Sequence, residues 1–240
     1  MEELSVKNNF TAVPDLNLAG VKEVSAETLA SHLYVVQYPY PAVSSPLDHS
    51  MNGVSKRGFD IIVSAILITA VLSWLIPLLA IIIKLDSHGP VFFRQKRKRN
   101  GGRLFNCLKF RSMIVNDDAD NILSGENDSR ITKVGRILRK YHLDELPQLF
   151  NVLLGDMSLI GPRPLMLTEN LLYESLWPDH KLRYAVKPGI TGLAQSLGHF
   201  GSTEDRKKMK FRLDLDIFYI RNWSFFMDMK IIWRTLKRSF

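Results

Sequence analysis

Cysteine is almost absent from this sequence of 240 residues, which contains Cys107 and no other. A disulfide within the chain is therefore excluded, and a reducing compartment is allowed. Residues 1–25 are polar and rich in acidic side chains, and they lack the apolar core of a cleavable secretory signal. Acidic residues are the minority over the whole chain, with 24 Asp and Glu against 32 Lys and Arg, so the net charge is +8.

This excess of positive charge favours anionic partners, and three classes fit it: nucleic acid, an anionic membrane surface and phosphorylated substrates. The hydrophobic content of 46% argues against global disorder. Charge alone does not separate the three classes, so the distinction depends on local patterns.

The surroundings of the single cysteine predict a β-hairpin. Residues 90–95 and 103–111 each have the composition of a strand, and Asn100-Gly101-Gly102 between them is a turn signal. Cys107 lies in the second strand without an activating base beside it in sequence. We therefore expect an inert core thiol rather than a nucleophile.

The longest apolar run is Ile61 to Ile83, 23 residues without a charge. About 20 such residues suffice to cross a bilayer, and a helix that is apolar on all sides is rarely soluble. The alternative is a buried core helix. We expect this segment to enter lipid.

Both flanks of this segment are cationic, with Lys56 and Arg57 before it and Lys84 and the basic run 94–99 after it. The positive-inside rule then favours the cytoplasmic side for both ends. Pro77 lacks the N–H that would bond to Ser73, so a kink is expected there, with the Ser73 hydroxyl satisfying the free carbonyl. These features favour a re-entrant hairpin over a straight span.

The remaining pattern predicts an α-rich α/β fold in three parts. Residues 1–54 are an extension or the remnant of a linker, residues 55–88 form the re-entrant helix-break-helix, and residues 89–240 form a domain of soluble α/β character. The tail from Phe218 to Phe240 is amphipathic. A helix at the lipid headgroup boundary and a helix packed on the core both fit it.

The candidate chemistry lies in the segment that begins Asp144-Glu145-Leu146-Pro147. A carboxylate can attack phosphorus, and Mg²⁺ takes one or two carboxylates together with substrate phosphates. One of the pair can therefore attack while the other holds a metal, although most Asp-Glu pairs are solvated surface. Cations that suit phosphate oxygens, or alternatively an anionic lipid surface, accompany the pair in sequence: Lys109, Arg111, Arg136, Arg139 and Arg163.

Six motifs in order make residues 55–240 resemble the bacterial sugar transferases, the monotopic phosphoglycosyl transferases that initiate polysaccharide assembly. They are Lys56-Arg57-Gly58-Phe59-Asp60, Gly89-Pro90-Val91-Phe92-Phe93, Lys109-Phe110-Arg111-Ser112-Met113, the segment from Asp144 to Pro164, the segment from Lys187 to Gln195, and Leu215-Asp216-Ile217-Phe218-Tyr219. The resemblance implies a catalytic domain on the cytoplasmic face of the bacterial inner membrane.

The resemblance also implies the reaction. Asp144 attacks the β-phosphate of a UDP-sugar, UMP leaves, and undecaprenyl phosphate then attacks the phosphosugar-aspartate. Asp144 and Glu145 are the implied metal site, with Glu145 as the ligand of Mg²⁺ and Mn²⁺ as an alternative ion. The implied substrate-binding residues are Lys109, Arg111, Arg139, Arg163 and Asp216, with Lys187 and Gln195 in the nucleotide pocket.

Two positions depart from the resemblance. Ser73-Trp74 stands where many similar sequences have Ser-Pro, and Phe200 stands where they usually have Arg. We expect UDP-glucose or UDP-galactose as donor, with an N-acetylhexosamine donor as the alternative. The expected partners are the UDP-sugar, undecaprenyl phosphate and membrane lipid, with self-association left open. A non-catalytic membrane anchor is a competing hypothesis, and a nucleic-acid partner is not expected.

Overall fold

The structure is a computed structural model and describes residues 44–116, 128–201 and 205–239. The predicted extension at 1–54 therefore lies mostly outside the described residues. The helices are α1 (Ser50–Leu67), α2 (Ser73–Asp86), α3 (Lys133–Lys140), α4 (Gln148–Leu154), α5 (Leu167–Leu176), α6 (Leu193–Ser196), α7 (Arg206–Arg221) and α8 (Phe225–Ser239). The strands are β1 (Phe92–Lys98), β2 (Leu104–Phe110), β3 (Ser158–Ile160) and β4 (Gly189–Thr191). The predicted helix-rich α/β class is confirmed.

The hairpin predicted around Cys107 is confirmed. Strands β1 and β2 pair antiparallel from Phe92 opposite Phe110 to Lys98 opposite Leu104. The turn between them contains Gly101 at φ 67°, a left-handed conformation that glycine adopts without strain. Cys107 is 1% exposed, and burial raises the pKa of its thiol, which disfavours the reactive thiolate.

The apolar segment lies in one helical stretch from Ser50 to Asp86, long and apolar enough to cross a membrane, and an 18-residue window of it has a mean hydropathy of 2.8. Helix α2 runs through Pro77 without interruption. The irregularity lies one turn earlier, in a π-helical turn at Ile68–Leu72. The re-entrant path stays a prediction.

The expected hydrogen bond of Ser73 was wrong. The Ser73 N–H donates to the carbonyl of Ile68, five residues back, and so leaves the Thr69 carbonyl without its usual helical partner. The Ser73 hydroxyl donates to that Thr69 carbonyl at 2.6 Å instead of serving its own carbonyl. The indole of Trp74 likewise donates to the Ala70 carbonyl at 3.0 Å.

One face of this helical stretch packs on the rest of the protein. Helix α1 contacts α4 and β3, and α2 contacts α3. The buried positions recur at helical spacing along the stretch: Lys56, Asp60, Ser64, Leu72, Leu79 and Ile83. The opposite face exposes apolar side chains, among them Ile62, Ile66, Trp74 and Ile81.

Polar contacts hold both ends of the stretch. Near the start, the Lys56 ammonium pairs with Asp228 at 2.7 Å, and the Arg57 guanidinium donates to the carbonyls of Val152 and Leu153. At the other end, the Asp86 carboxylate accepts the N–H of residue 134 at 3.3 Å. Both ends of the apolar segment are therefore fastened to the same body.

Helix α8 packs one face on the core, which confirms one of the two interpretations of the amphipathic tail, and its position at a lipid boundary stays a prediction. Asp228 and Ile231 are buried, and Ile231 packs in the main core with Leu72 and Ile160. The other face exposes large apolar side chains, including Phe226 and Trp233.

Candidate active site

The carboxylate pair lies in a 3-10 turn, Leu143–Glu145, that is separated from the end of α3 by two residues. His142 enters this turn at φ 54°, in the left-handed region that few residues other than glycine adopt. Such backbone strain concentrates at functional sites. The turn directs both Asp144 and Glu145 inward, where they are 7% and 9% exposed. Both residues line a cavity of about 970 Å³.

Glu145 is held by two cations. The Lys109 ammonium donates to its Oε1 at 2.8 Å, and the Arg163 guanidinium donates to Oε1 at 2.6 Å and to Oε2 at 3.1 Å. Burial alone would raise the pKa of Glu145, but the charges of Arg163 and Lys109 hold it well below its usual range. Glu145 is therefore ionised at neutral pH.

Asp144 has a different environment although it is the next residue. Burial raises its pKa against the charge of Lys109, and the neighbouring charge of Glu145 raises it further. Within residues 44–116, 128–201 and 205–239, no group donates a hydrogen bond to the Asp144 carboxylate. Its lone pairs are therefore open to the cavity, and its basicity exceeds that of an ordinary aspartate.

Two close backbone approaches position the cations around this pair. Helix α3 crosses the end of β2 at Gly135, where a Cβ would lie 1.9 Å from the Ser112 carbonyl oxygen. This contact brings the Arg139 guanidinium to the Ser112 hydroxyl, at 2.9 Å, on the cavity wall. Strand β4 approaches the loop before Arg163 in a similar way, because a Cβ at Gly189 would lie 2.1 Å from a backbone nitrogen of that loop.

The profile of the family described as bacterial sugar transferase matches residues 51–240. The chain belongs to the bacterial sugar transferase family. The resemblance of the six sequence motifs is thus confirmed.

Curated relatives agree with this assignment. A UDP-glucose:undecaprenyl-phosphate glucose-1-phosphate transferase of Klebsiella pneumoniae is 47% identical over 201 residues, which are 83% of this chain and 43% of the relative. The transferase of the same name from Caulobacter vibrioides is 44% identical over 80% of this chain and 72% of the relative.

A relative with a different named donor also matches. The UDP-N-acetylgalactosamine-undecaprenyl-phosphate N-acetylgalactosaminephosphotransferase of Aeromonas hydrophila is 38% identical over 90% of this chain and 51% of the relative. The chain spans about half the length of this relative and of the one from Klebsiella.

Within this sugar transferase chain, the cavity brings together most of the predicted site residues. It is lined by Lys109, Arg111, Arg139, Asp144, Glu145, Arg163, Gln195 and Asp216. The Gln195 side chain donates to the carbonyl of Ile190 at 3.2 Å, which fixes its amide against the cavity wall.

Two predicted substrate-binding cations have other contacts. The Arg111 guanidinium donates to the carbonyls of Ile83, Ser87 and His88, so it caps the end of α2 while lining the cavity. Lys187 is not among the residues that line the cavity in the described part of the chain. It lies near Gly155 and Arg57, and burial, together with the Arg57 charge, lowers its pKa.

Sequence reasoning missed Arg183, which connects two site residues. Its Nε donates to the Asp216 carboxylate at 2.9 Å, and its Nη2 donates to the backbone carbonyl of Arg163 at 2.7 Å. Burial raises the pKa of Asp216, and the Arg183 charge opposes that rise. No local signal in the sequence around Arg183 distinguishes it from a surface arginine.

The pair fits a magnesium ion by donor type. No group of three or more His, Cys, Asp or Glu side chains gathers for a metal among the described residues. Mg²⁺ does not require one, because it is bound through one or two carboxylates plus phosphate oxygens and water. The open oxygens of Asp144 suit this role directly, whereas both oxygens of Glu145 already contact Arg163 or Lys109.

Proposed function

We propose that this chain transfers a hexose-1-phosphate from a UDP-sugar to undecaprenyl phosphate, releasing UMP and initiating assembly of an exopolysaccharide, capsule or O-antigen. The observation that carries this proposal is the buried Asp144 carboxylate, open to the cavity beside cation-held Glu145. The names of the Klebsiella and Caulobacter relatives support glucose as the sugar.

In the first step, an Asp144 oxygen attacks the β-phosphorus of the donor. The bond from that phosphorus to the bridging oxygen breaks, and UMP leaves with the bridging oxygen. The product is an acyl phosphate on Asp144 that carries the sugar. Splitting the displacement in two in this way is a recognised use of a carboxylate nucleophile.

In the second step, a phosphate oxygen of undecaprenyl phosphate attacks the same phosphorus. The bond to Asp144 breaks, which regenerates the carboxylate and yields undecaprenyl diphosphate sugar. Lys109, Arg139 and Arg163 line the cavity and offset the negative charge of the phosphoryl group in both steps. Magnesium, or manganese, would be held by Asp144, joined by Glu145 if it gives up a contact with Arg163 or Lys109, and would supply further charge neutralisation when bound.

We place the protein on the inner membrane with both ends of the apolar segment on the cytoplasmic side. The contacts Lys56–Asp228 and Asp86–Val134, which hold both ends to one body, support this arrangement. Single cysteines at Ser55 and His88, both exposed, test it with an impermeant maleimide. Both should be labelled in inverted vesicles and neither in intact spheroplasts, whereas labelling from opposite sides would establish a straight span.

The reaction is tested by UMP release from detergent-solubilised protein with Mg²⁺, undecaprenyl phosphate and a panel of UDP-sugars. Release with UDP-glucose supports the proposal, and release with UDP-N-acetylgalactosamine alone supports the alternative donor. No release with any donor from folded protein favours the membrane-anchor hypothesis.

The covalent step has its own test. UDP-glucose labelled in the sugar, added without acceptor, should leave label on the denatured wild-type protein and none on Asp144→Asn. Label that stays on the variant would place the covalent bond elsewhere.

A further inference from the structure

The last helix brings an arginine over an aromatic ring at the cavity wall. The Phe200 side chain is 44% exposed, and the guanidinium carbon of Arg238 lies 4.7 Å from its ring centroid. Arg238 is on α8, whereas Phe200 is in the turn that follows α6. Both residues line the cavity that contains Asp144.

The turn is shaped to admit this guanidinium. Gly198 has φ 97°, and a Cβ at that position would lie 2.3 Å from Nη1 of Arg238. Any larger residue would therefore both strain the backbone and displace the guanidinium. Arg212 fixes the same turn from α7, because its guanidinium donates to the carbonyls of Phe200 and Gly201.

The aromatic ring connects Arg238 to the carboxylate pair. The imidazole of His142 meets the Phe200 ring nearly perpendicularly, with centroids 6.3 Å apart. His142 is the strained residue that begins the turn carrying Asp144. Arg238, Phe200 and His142 thus form a layered set of side chains beside the nucleophile.

The guanidinium of Arg238 has unused binding capacity. Arg238 is exposed, and no carboxylate of the described residues forms an ion pair with it. Stacking on a ring orients a guanidinium while leaving its N–H groups available for the oxygens of a phosphate. A cation without an anionic partner on the wall of a cavity for phosphorylated substrates implies that the partner is the substrate.

We propose that Arg238, oriented by Phe200, binds a phosphate group of a substrate in this cavity. The proposal rests on the proposed function for the identity of the two candidates, the donor diphosphate and the lipid phosphate. It also accounts for Phe200, since the positive charge expected at that position comes from α8 instead.

The test measures binding, so it does not depend on turnover. UDP and farnesyl phosphate are titrated separately into detergent-solubilised wild type, Arg238→Ala and Lys237→Ala. Lys237 is the adjacent exposed cation on the same helix and does not line the cavity, so it is the matched control. Arg238→Ala should weaken the binding of one of the two ligands about tenfold, and Lys237→Ala should change the binding of either ligand less than twofold. Weaker UDP binding assigns Arg238 to the donor. Weaker farnesyl phosphate binding assigns it to the acceptor.

A second variant separates substrate binding from loss of structure. Phe200→Arg combined with Arg238→Ala returns a guanidinium to the same wall and should recover most of the lost affinity. Unchanged affinity for both ligands in Arg238→Ala, or an equal loss in Lys237→Ala, would overturn the proposal. Ligand binding without UMP release from the wild type would instead count against the proposed function.

Discussion

Two groups of buried carboxylates in this protein differ in how fully the protein satisfies them. On α8, Asp228 accepts hydrogen bonds from Lys56 of α1 at 2.7 Å, from Tyr219 at 2.8 Å and from Trp223 at 3.0 Å. In the cavity, the Asp144 carboxylate accepts none from the described residues and is open to the cavity instead. A buried charge with several donors stabilises a fold, whereas one without donors costs stability and is available for chemistry.

The largest expected effect is on turnover in Asp144→Asn. An amide is a poor nucleophile toward phosphorus, so UMP release should fall at least about a thousandfold. Burial raises the pKa of Asp144, so its ionised form costs the folded protein stability at neutral pH, and the melting temperature of the variant should equal or exceed that of the wild type. UMP release near the wild-type rate would exclude Asp144 as the nucleophile.

The reverse pattern is expected for Asp228→Asn, in which stability falls. The substitution leaves the Lys56 ammonium buried without its anionic partner, which costs about 3 kcal/mol. Thermal unfolding in detergent should shift down by roughly 6–12 °C. Asp214→Asn is the control, because the Lys210–Asp214 pair lies on the surface and contributes about 0.5 kcal/mol or less. Equal shifts in both variants would remove the distinction between the two groups.

A smaller effect is expected on the pH dependence of stability. The folded protein raises the pKa of Asp144, so it binds a proton there more readily than the unfolded chain does. The resulting stabilisation is complete below the ordinary aspartate value of 3.8 and is lost as pH rises through the raised pKa. Relative to Asp144→Asn, the wild type should therefore gain stability on acidification from pH 7 toward 4. The same change in melting temperature with pH for the wild type and Asp144→Asn over this range would contradict this prediction.

The smallest effect is expected for Lys187→Ala. This lysine lies beside Arg57 and Gly155 and not on the cavity wall, so the KM for the UDP-sugar should change less than about twofold. Gln195→Ala is the comparison, since Gln195 does line the cavity. A larger rise in KM for Lys187→Ala would mean that the nucleotide extends beyond the cavity.

Features with a local signal could be predicted from the sequence. The hairpin follows from two strand-like runs around Asn100-Gly101-Gly102, and the long apolar helix follows from 23 uncharged residues. The carboxylate pair was identifiable because Asp144 and Glu145 are adjacent and lie within a long family motif. Such signals are read within one segment and do not depend on long-range packing.

The direction in which a side chain points was less predictable. Arg111 and Lys187 belong to the same kind of motif as Lys109, yet Arg111 caps α2 and Lys187 lies outside the cavity wall. Arg183 and Arg238 reach the site only because distant elements meet there, so neither had a local signal. The irregular turn of the apolar helix was expected at Pro77, but it formed before Ser73, where side-chain donors can satisfy the freed carbonyls.

That turn, Ile68–Leu72, amounts to one extra residue inserted into an α-helix, and it sets the rotational phase between α1 and α2. Each residue of an α-helix advances the chain by about 100° around the axis, so one additional residue in a regular helix would rotate everything after it by that angle. The wider π turn absorbs the additional residue, so Leu72, Leu79 and Ile83 stay on the packed face that begins with Lys56 and Asp60. Deletion of one residue from this turn would restore a regular helix and leave Leu79 and Ile83 in place, whereas an insertion elsewhere in the segment would turn them away from the protein. The turn thus keeps the two helices in rotational register.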